Sequence, residues 1–322
     1  MMNLLTIMGP TASGKSALAI ELAKRLRGEV ISADAFQVYR RLDVGTAKVL
    51  PAEQERIPHH LIDIKDATET YTVAEFCSLA KACIEDILQR GNIPILTGGT
   101  GLYVQALLEG YEFPDLGPLQ ELYRKYESIY EKAGLDGLIQ EMEQRDPDYF
   151  AEREVVDKQR LIRALAVLEA GGSYRSGKRS HEPLYCGPVY ALVPERAELY
   201  ERINGRVCKM MADGLADEAK WLWDLEPEAK QARKAIGYQE WEAYRQGECT
   251  EEEVVELIQR NTRRFAKRQL TWLKRMPYDE YIDPAQYSSV EDLAEHLVPC
   301  IKRIWEGKES GKQGESTGSI FK

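Results

Sequence analysis

The run Gly9-Pro10-Thr11-Ala12-Ser13-Gly14-Lys15-Ser16 constrains this chain more than any other stretch. It fits G-x-x-x-x-G-K-[ST], the pattern of a loop that cradles phosphate. Such a loop needs a buried strand before it and a helix after it, and both are present. Asn3 to Met8 is a short apolar run. Ser16 to Leu26 carries Leu18, Ala19, Leu22 and Leu26 at helical spacing, with Gly28 just past its end. The loop amides and the helix N-terminus point at an anion, and the glycines let the backbone come close to it. Lys15 supplies a point charge and Ser16 a hydroxyl for Mg²⁺. Binding of a diphosphate or triphosphate follows. Which phosphate compound is bound, and what is done to it, does not follow from the loop.

The chain continues in an alternation of strand and helix, which implies a parallel sheet. Glu29 to Ala33 reads as the second strand and runs into Asp34, Ala35, Phe36 and Gln37. In an open α/β sheet the ligand lies outside the carboxyl ends of the strands. Asp34 is therefore a candidate for chemistry, with helix capping as its alternative. His59 to Ile64 reads as a short strand containing Asp63, and the paired histidines lack a third ligand for a metal. Thr72-Val73-Ala74-Glu75 has the spacing of a capping box, opening a helix that Gly91 closes. Ile93 to Leu96 is a buried strand leading into Thr97-Gly98-Gly99-Thr100-Gly101, a second glycine turn facing the same sheet edge.

From about Pro114 the periodicity is only helical. Leu119 to Tyr130 and Leu135 to Met142 mark two helices. A third is opened by Asp157, carries Leu161, Leu165 and Leu168, and is closed by Gly171-Gly172. Arg160 and Arg163 lie off its apolar stripe, three residues apart, and project together. A polar loop with Lys178, Arg179 and His181 follows, and Val189 to Val193 returns as a strand. The expectation is an α/β P-loop NTPase-like parallel-sheet core over 1–113 and 188–305, a helical insertion over 114–187, and a disordered, low-complexity tail over 306–322.

Charge adds a second signal. The net charge of −10 argues against general nucleic-acid binding. Yet residues 260–275 hold Arg260, Arg263, Arg264, Lys267, Arg268, Lys274 and Arg275 with no acid among them. On a helix these share one broad face. A charge run is usually a solvated face. The single sign and the interleaved Phe265 and Trp272 favour a phosphate-backbone contact. Arg202 and Arg206, four apart on an earlier helix, could reach an anion, or could form a solvated ion-pair face with Glu198 and Glu201. The six cysteines are scattered, without a C-x-x-C pair, and are read as reduced thiols of a cytosolic protein. No run approaches the roughly 20 apolar residues of a membrane span, and no leader is read at the start.

Several of these segments together resemble the bacterial-type tRNA dimethylallyltransferases, also called tRNA isopentenyltransferases. The segments are Gly9–Ser16, Ser32–Tyr39, Asp43–Lys48, Gly98–Tyr103, Asp157–Leu165, Ile236–Tyr238 and Lys267–Leu273. The Pro10–Ser13 filling of the loop, the Gly98–Tyr103 turn and the Lys267–Trp272 segment make the resemblance specific. It implies transfer of a dimethylallyl group from its diphosphate to N6 of the adenosine just 3′ of the anticodon, in tRNAs reading codons that begin with U. The phosphate loop and Arg206 would hold the prenyl diphosphate, with Mg²⁺ on Ser16. Asp34 would accept the amine proton, and Thr100 would bond the bridging oxygen or the amine. The resemblance places Asp34, Ala35, Phe36, Gln37, Thr100, Arg124, Gln159, Arg160, Leu161, Ile162, Arg163, Arg263, Lys267 and Arg268 against the tRNA. It implies a cytoplasmic enzyme, expected to be a monomer and without a membrane partner. The eukaryotic zinc finger has no counterpart in the Cys and His spacing. A P-loop small-molecule kinase, with Arg202 and Arg206 as lid residues, is the alternative; it leaves the basic helix unexplained.

Overall fold

A computed structural model describes residues 2–113, 117, 119–151, 157–173 and 184–306. The chain divides into two compact units, Met1–Glu109 with Glu182–Lys322, and Gly110–His181. From residue 307 onward the expected tail lies outside the described residues, as do Lys178, Arg179 and His181.

The first unit is built on a six-stranded sheet. In chain order its described strands and helices begin with β1 (Met2–Asn3), β2 (Leu5–Met8), α1 (Lys15–Leu26), β3 (Gly28–Ser32), β4 (His59–His60), α2 (Val73–Gln89), β5 (Ile93–Gly98) and α3 (Gly101–Leu108). After the second unit, which holds α4 (Gln120–Arg145) and α5 (Lys158–Glu169), come β6 (Tyr185–Cys186), β7 (Val189–Leu192), α6 (Arg196–Ala212) and α7 (Leu215–Asp224). The unit closes with α8 (Trp241–Arg245), α9 (Glu251–Leu273), β8 (Glu280–Ile282) and α10 (Val290–Trp305). The sheet order is β4-β3-β5-β2-β7-β8, and every pairing is parallel. Parallel pairing puts all the carboxyl ends on one edge. The loops after β2, β3 and β5 therefore meet there.

Burial explains the register. All four residues of β2 and all five of β3 are buried, as expected for strands covered on both faces. Leu18, Leu22 and Leu26 of α1 pack with Ile7, Val30 and Ile95 of the sheet and with Leu293, Leu297 and Ile301 of α10. The strand expected over His59 to Ile64 stops after two residues. Leu61 and Asp63 adopt positive φ of 61° and 56°, which breaks extended pairing. His60 Nε2 lies 2.7 Å from the Glu29 carboxylate, which Arg90 and Asn92 also hold. Only half of the Thr72–Glu75 box forms. Thr72 accepts the Glu75 N–H, while the Glu75 carboxylate pairs with Lys65 at 2.7 Å. The reciprocal box occurs instead at Thr250 and Glu253, opening α9.

In the second unit the two expected helices run as α4 with a non-helical break at Gly134, φ 64°. Asp157 accepts the Arg160 N–H and opens α5. Tyr126, Leu138, Met142, Leu161 and Leu165 form this unit's core. Glu169 ties the helices together, accepting from Lys125 at 2.7 Å and from Tyr126.

Candidate active site

The phosphate loop leaves β2 at Met8 and enters α1 at Lys15. Gly14 has φ 92°, a left-handed conformation that aims the first helical amides into the loop. Lys15 donates to the Pro10 carbonyl at 3.0 Å, and Arg206 of α6 reaches Thr11 Oγ1 at 3.5 Å. Part of the Lys15 side chain is exposed, but its ammonium end is desolvated. That desolvation, with Arg206 nearby, lowers its pKa to about 8, against the opposing pull of Asp34. Burial also pushes the Arg206 guanidinium down, though an arginine stays charged. Two cations without a paired acid are costly to hold together, so the cradle is electrostatically prepared for a polyanion. Among the described residues, Ser13 Oγ is buried there without a hydrogen-bond partner.

Asp34 follows β3. One carboxylate oxygen, Oδ1, accepts the Phe36 and Gln37 N–H groups at 2.8 and 3.2 Å. This is an Asx-type turn rather than a helix cap. Among the described residues Oδ2 has no hydrogen-bond partner, so one oxygen holds the turn and the other can accept a proton. Thr100 stands at the N-cap of α3 but does not cap it. Its Oγ1 accepts the Ala35 N–H at 3.1 Å, and its own proton is left to donate elsewhere. The Thr100 N–H donates to the Ala33 carbonyl at 3.2 Å. The β5 turn thus lies hard against the Asp34 turn; a Cβ on Gly98 would sit 2.2 Å from the Ala33 oxygen.

The basic helix α9 has two faces. Arg260, Arg264, Lys267 and Arg268, with Lys274 and Arg275 just past the helix end, are exposed, and Lys267, Arg268, Thr271, Trp272 and Arg275 line a shallow depression. Arg263 is turned inward and donates to Asn204 of α6, so this cation is partly withdrawn from the expected RNA face. On the buried face Gln269 accepts the Thr11 N–H at 2.9 Å and donates to the Gly99 carbonyl at 2.9 Å. It joins the two glycine turns. Trp272 packs where a side chain on Gly101 would be. Sequence spacing by itself assigns Gln269 no partner. A signal existed: it is a polar residue on the buried stripe Ile258, Ala266, Gln269, Leu273.

Other expected contacts need correction. Leu161 and Ile162 are 0% and 2% exposed in the core of the second unit, so their side chains hold α5 in place and do not face solvent. Gln159, Arg160, Arg163 and Arg124 are exposed on that unit. The Gln37 amide is committed within the protein. It donates to the Thr46 and Ala47 carbonyls at 3.2 and 3.3 Å and accepts from Ser32 at 3.1 Å. Arg202 pairs with Glu198 at 2.5 Å, which leaves a kinase-like lid only Arg206. For a metal, the cradle offers the Ser16 hydroxyl, and no cluster of three or more His, Cys, Asp or Glu exists among the described residues. Such a donor set fits Mg²⁺ held largely through the oxygens of a bound diphosphate.

A parallel sheet with a phosphate loop on an inner strand, and an acid and a threonine on the next two turns, defines a P-loop NTPase-like phosphate-binding protein. The comparisons with known proteins narrow this. Residues 37–276 match the IPP transferase family. A tRNA dimethylallyltransferase of Streptococcus pneumoniae is 47% identical over 274 residues, 84% of this chain and 89% of the relative. One from Carboxydothermus hydrogenoformans is 43% identical over 301 residues, 92% and 96% of the two chains. The crystal structure of the full-length tRNA isopentenylpyrophosphate transferase of Bacillus halodurans aligns with TM-score 0.69 at 36% identity, covering 96% of this chain and 99% of that one. A eukaryotic dimethylallyltransferase acting on tRNA aligns with TM-score 0.76 at 27% identity, covering 94% and 77%. The chain belongs to the IPP transferase family.

Proposed function

We propose that the protein transfers the dimethylallyl group of dimethylallyl diphosphate to N6 of the adenosine just 3′ of the tRNA anticodon, releasing pyrophosphate. One observation carries the chemistry. A carboxylate with a free oxygen, Asp34, lies within electrostatic reach of the phosphate-loop cation Lys15 at one sheet edge. An exocyclic adenine amine is a poor nucleophile because its lone pair is delocalised into the ring. It needs an acceptor for its proton as the new C–N bond forms, and Asp34 Oδ2 serves. The breaking C–O bond leaves charge on the bridging oxygen. Lys15, Arg206 and the amides of Ala12, Gly14, Lys15 and Ser16, which the Pro10 and Gln269 contacts leave available, stabilise it. The Thr100 hydroxyl would donate its proton to that oxygen or to the amine. Mg²⁺, held by Ser16 and the diphosphate, would offset charge on the leaving group.

The target base must leave its stack to react. The cationic face of α9 grips the RNA backbone, and Arg124, Gln159, Arg160 and Arg163 of the second unit supply further contacts. A cytoplasmic monomer is the form expected; no described helix is long and apolar enough to cross a membrane. The kinase alternative is not favoured, since neither the family nor the ion-paired Arg202 supports it. The test is incubation with labelled dimethylallyl diphosphate and unmodified tRNA, followed by nucleoside digestion. Label on adenosine is expected. Absence of label, with phosphate transferred from ATP to a small molecule, would restore the kinase reading.

A further inference from the structure

The loop Asp43 to Lys48 is held from an unexpected direction. Glu218 of α7 accepts three successive backbone N–H groups: Asp43 at 2.8 Å, Val44 at 3.0 Å and Gly45 at 2.9 Å. It also accepts the Tyr238 hydroxyl at 2.6 Å. Successive amides pointing into one concavity form an anion nest, and here the anion belongs to the protein. The nest is shaped for it, because a side chain on Gly45 would strike the Tyr238 ring at 2.5 Å. The far side of the loop is gripped by Gln37, whose amide donates to the Thr46 and Ala47 carbonyls. Gln37 is also one of the two residues whose N–H groups hold the Asp34 carboxylate. From Glu218 to Asp34 the path is therefore one nest, one loop and one residue.

We propose that Glu218 is a positioning residue for the transfer reaction. It sets the Asp43–Ala47 loop, the loop sets Gln37, and Gln37 sets Asp34 Oδ1 so that Oδ2 faces the acceptor amine. The donor site is held separately, by Gln269 on Thr11 and Gly99. Loss of Glu218 should thus misplace the base without loosening the phosphate loop. A shallow depression lined by Arg41, Asp43, Asp217 and Trp221 opens beside Glu218 and gives solutes access to it. The proposal rests on the transfer reading above.

The test uses the full chain, with Glu218→Ala and the isosteric Glu218→Gln. Hydrogen exchange reads the proposal without any assay of activity. Amides of Phe36, Gln37 and 43–48 should exchange faster in both variants, with residues 11–16 unchanged. In steady state, kcat should fall about 10–100-fold, the scale of a misaligned reacting group. The KM for dimethylallyl diphosphate should stay within about threefold of the parent, because chain contacts to that ligand are untouched. Acetate should fill the emptied nest, restoring kcat in Glu218→Ala and not in Glu218→Gln, whose side chain still occupies it. If Glu218→Ala does not fold, Glu218→Gln carries the exchange and kcat measurements. Unchanged exchange at Phe36 and Gln37 would overturn the proposal, as would a donor KM rising in step with the loss of kcat. A parent enzyme that transfers no label would count against the transfer reading, while the exchange data would still decide the link from Glu218 to Gln37.

Discussion

The phosphate loop and the Asp34 turn differ in how they are made. The loop is largely local: its glycines, lysine and serine all fall within Gly9–Ser16, and its shape follows from Gly14 and the helix behind it. The Asp34 turn is an assembly. Its carboxylate is held by Phe36 and Gln37, its backbone by Thr100, and its supporting loop by Glu218 and Tyr238. Lys48 completes the assembly as a buried cation donating to the Tyr39 carbonyl and to the carboxylates of Asp43 and Asp63 at 2.8, 2.5 and 2.6 Å. A local site binds a generic anion. A site assembled from several segments can be specific, because its geometry depends on all of their contacts together.

Of the variants that probe this difference, Asp34→Ala has the largest expected effect. It should lower turnover about 10²–10⁴-fold, the range for a lost general base, with prenyl diphosphate binding nearly intact. Single-turnover kinetics with prebound donor would check this, and near-parent turnover would remove Asp34 from the mechanism. Lys15→Ala should instead act on the loop, lowering kcat/KM for the donor about 10²-fold while tRNA affinity holds. Its pH dependence has a definite sign. With a pKa of about 8, Lys15 is a cation below that pH and loses its charge as pH rises through it. The parent's kcat/KM for the donor should therefore fall on the alkaline side near pH 8, and Lys15→Arg should push that limb upward. A limb that stays in place in Lys15→Arg would assign it to another group.

Gln269→Leu tests whether the loop is as independent as it looks. Replacing the amide leaves the Thr11 N–H and Gly99 carbonyl without their partner, at about 1–3 kcal/mol for a buried group. Donor KM should rise about tenfold, read by initial rates at saturating tRNA, and an unchanged KM would show that the loop holds itself. The smallest effect on the chemistry is expected from neutralising Arg264, Lys267 and Arg268 together. Each phosphate contact adds about 0.7–0.9 to the slope of log affinity against log salt, so the slope should flatten by roughly 2–3 units. Reaction within the bound complex should change little. Equal slopes in variant and parent would mean that this face is merely solvated, and the RNA contact would then be sought at Arg160 and Arg163. Arg263 is left out because its bond to Asn204 makes its loss structural as well as electrostatic.

Where a function is carried by neighbours in sequence, the residues alone disclosed it. The phosphate loop, the parallel α/β plan, the break in helical periodicity near Gly134 and the cationic run on α9 all follow from spacing, since helix and strand periods act over a few residues. The tertiary structure alone decided which side chains those elements turn inward. It turned Leu161 and Ile162 into a core, spent the Gln37 amide on a loop, and split α9 into an exposed cationic face and a buried one carrying Gln269. It also chose the partners. Gln269 meets Thr11 across 258 positions, and Glu218 meets Asp43 across 175. A buried amide or carboxylate must find donors and acceptors wherever the fold brings them. Such pairings have no period along the chain, so they become visible only once the sheet edge has gathered its loops.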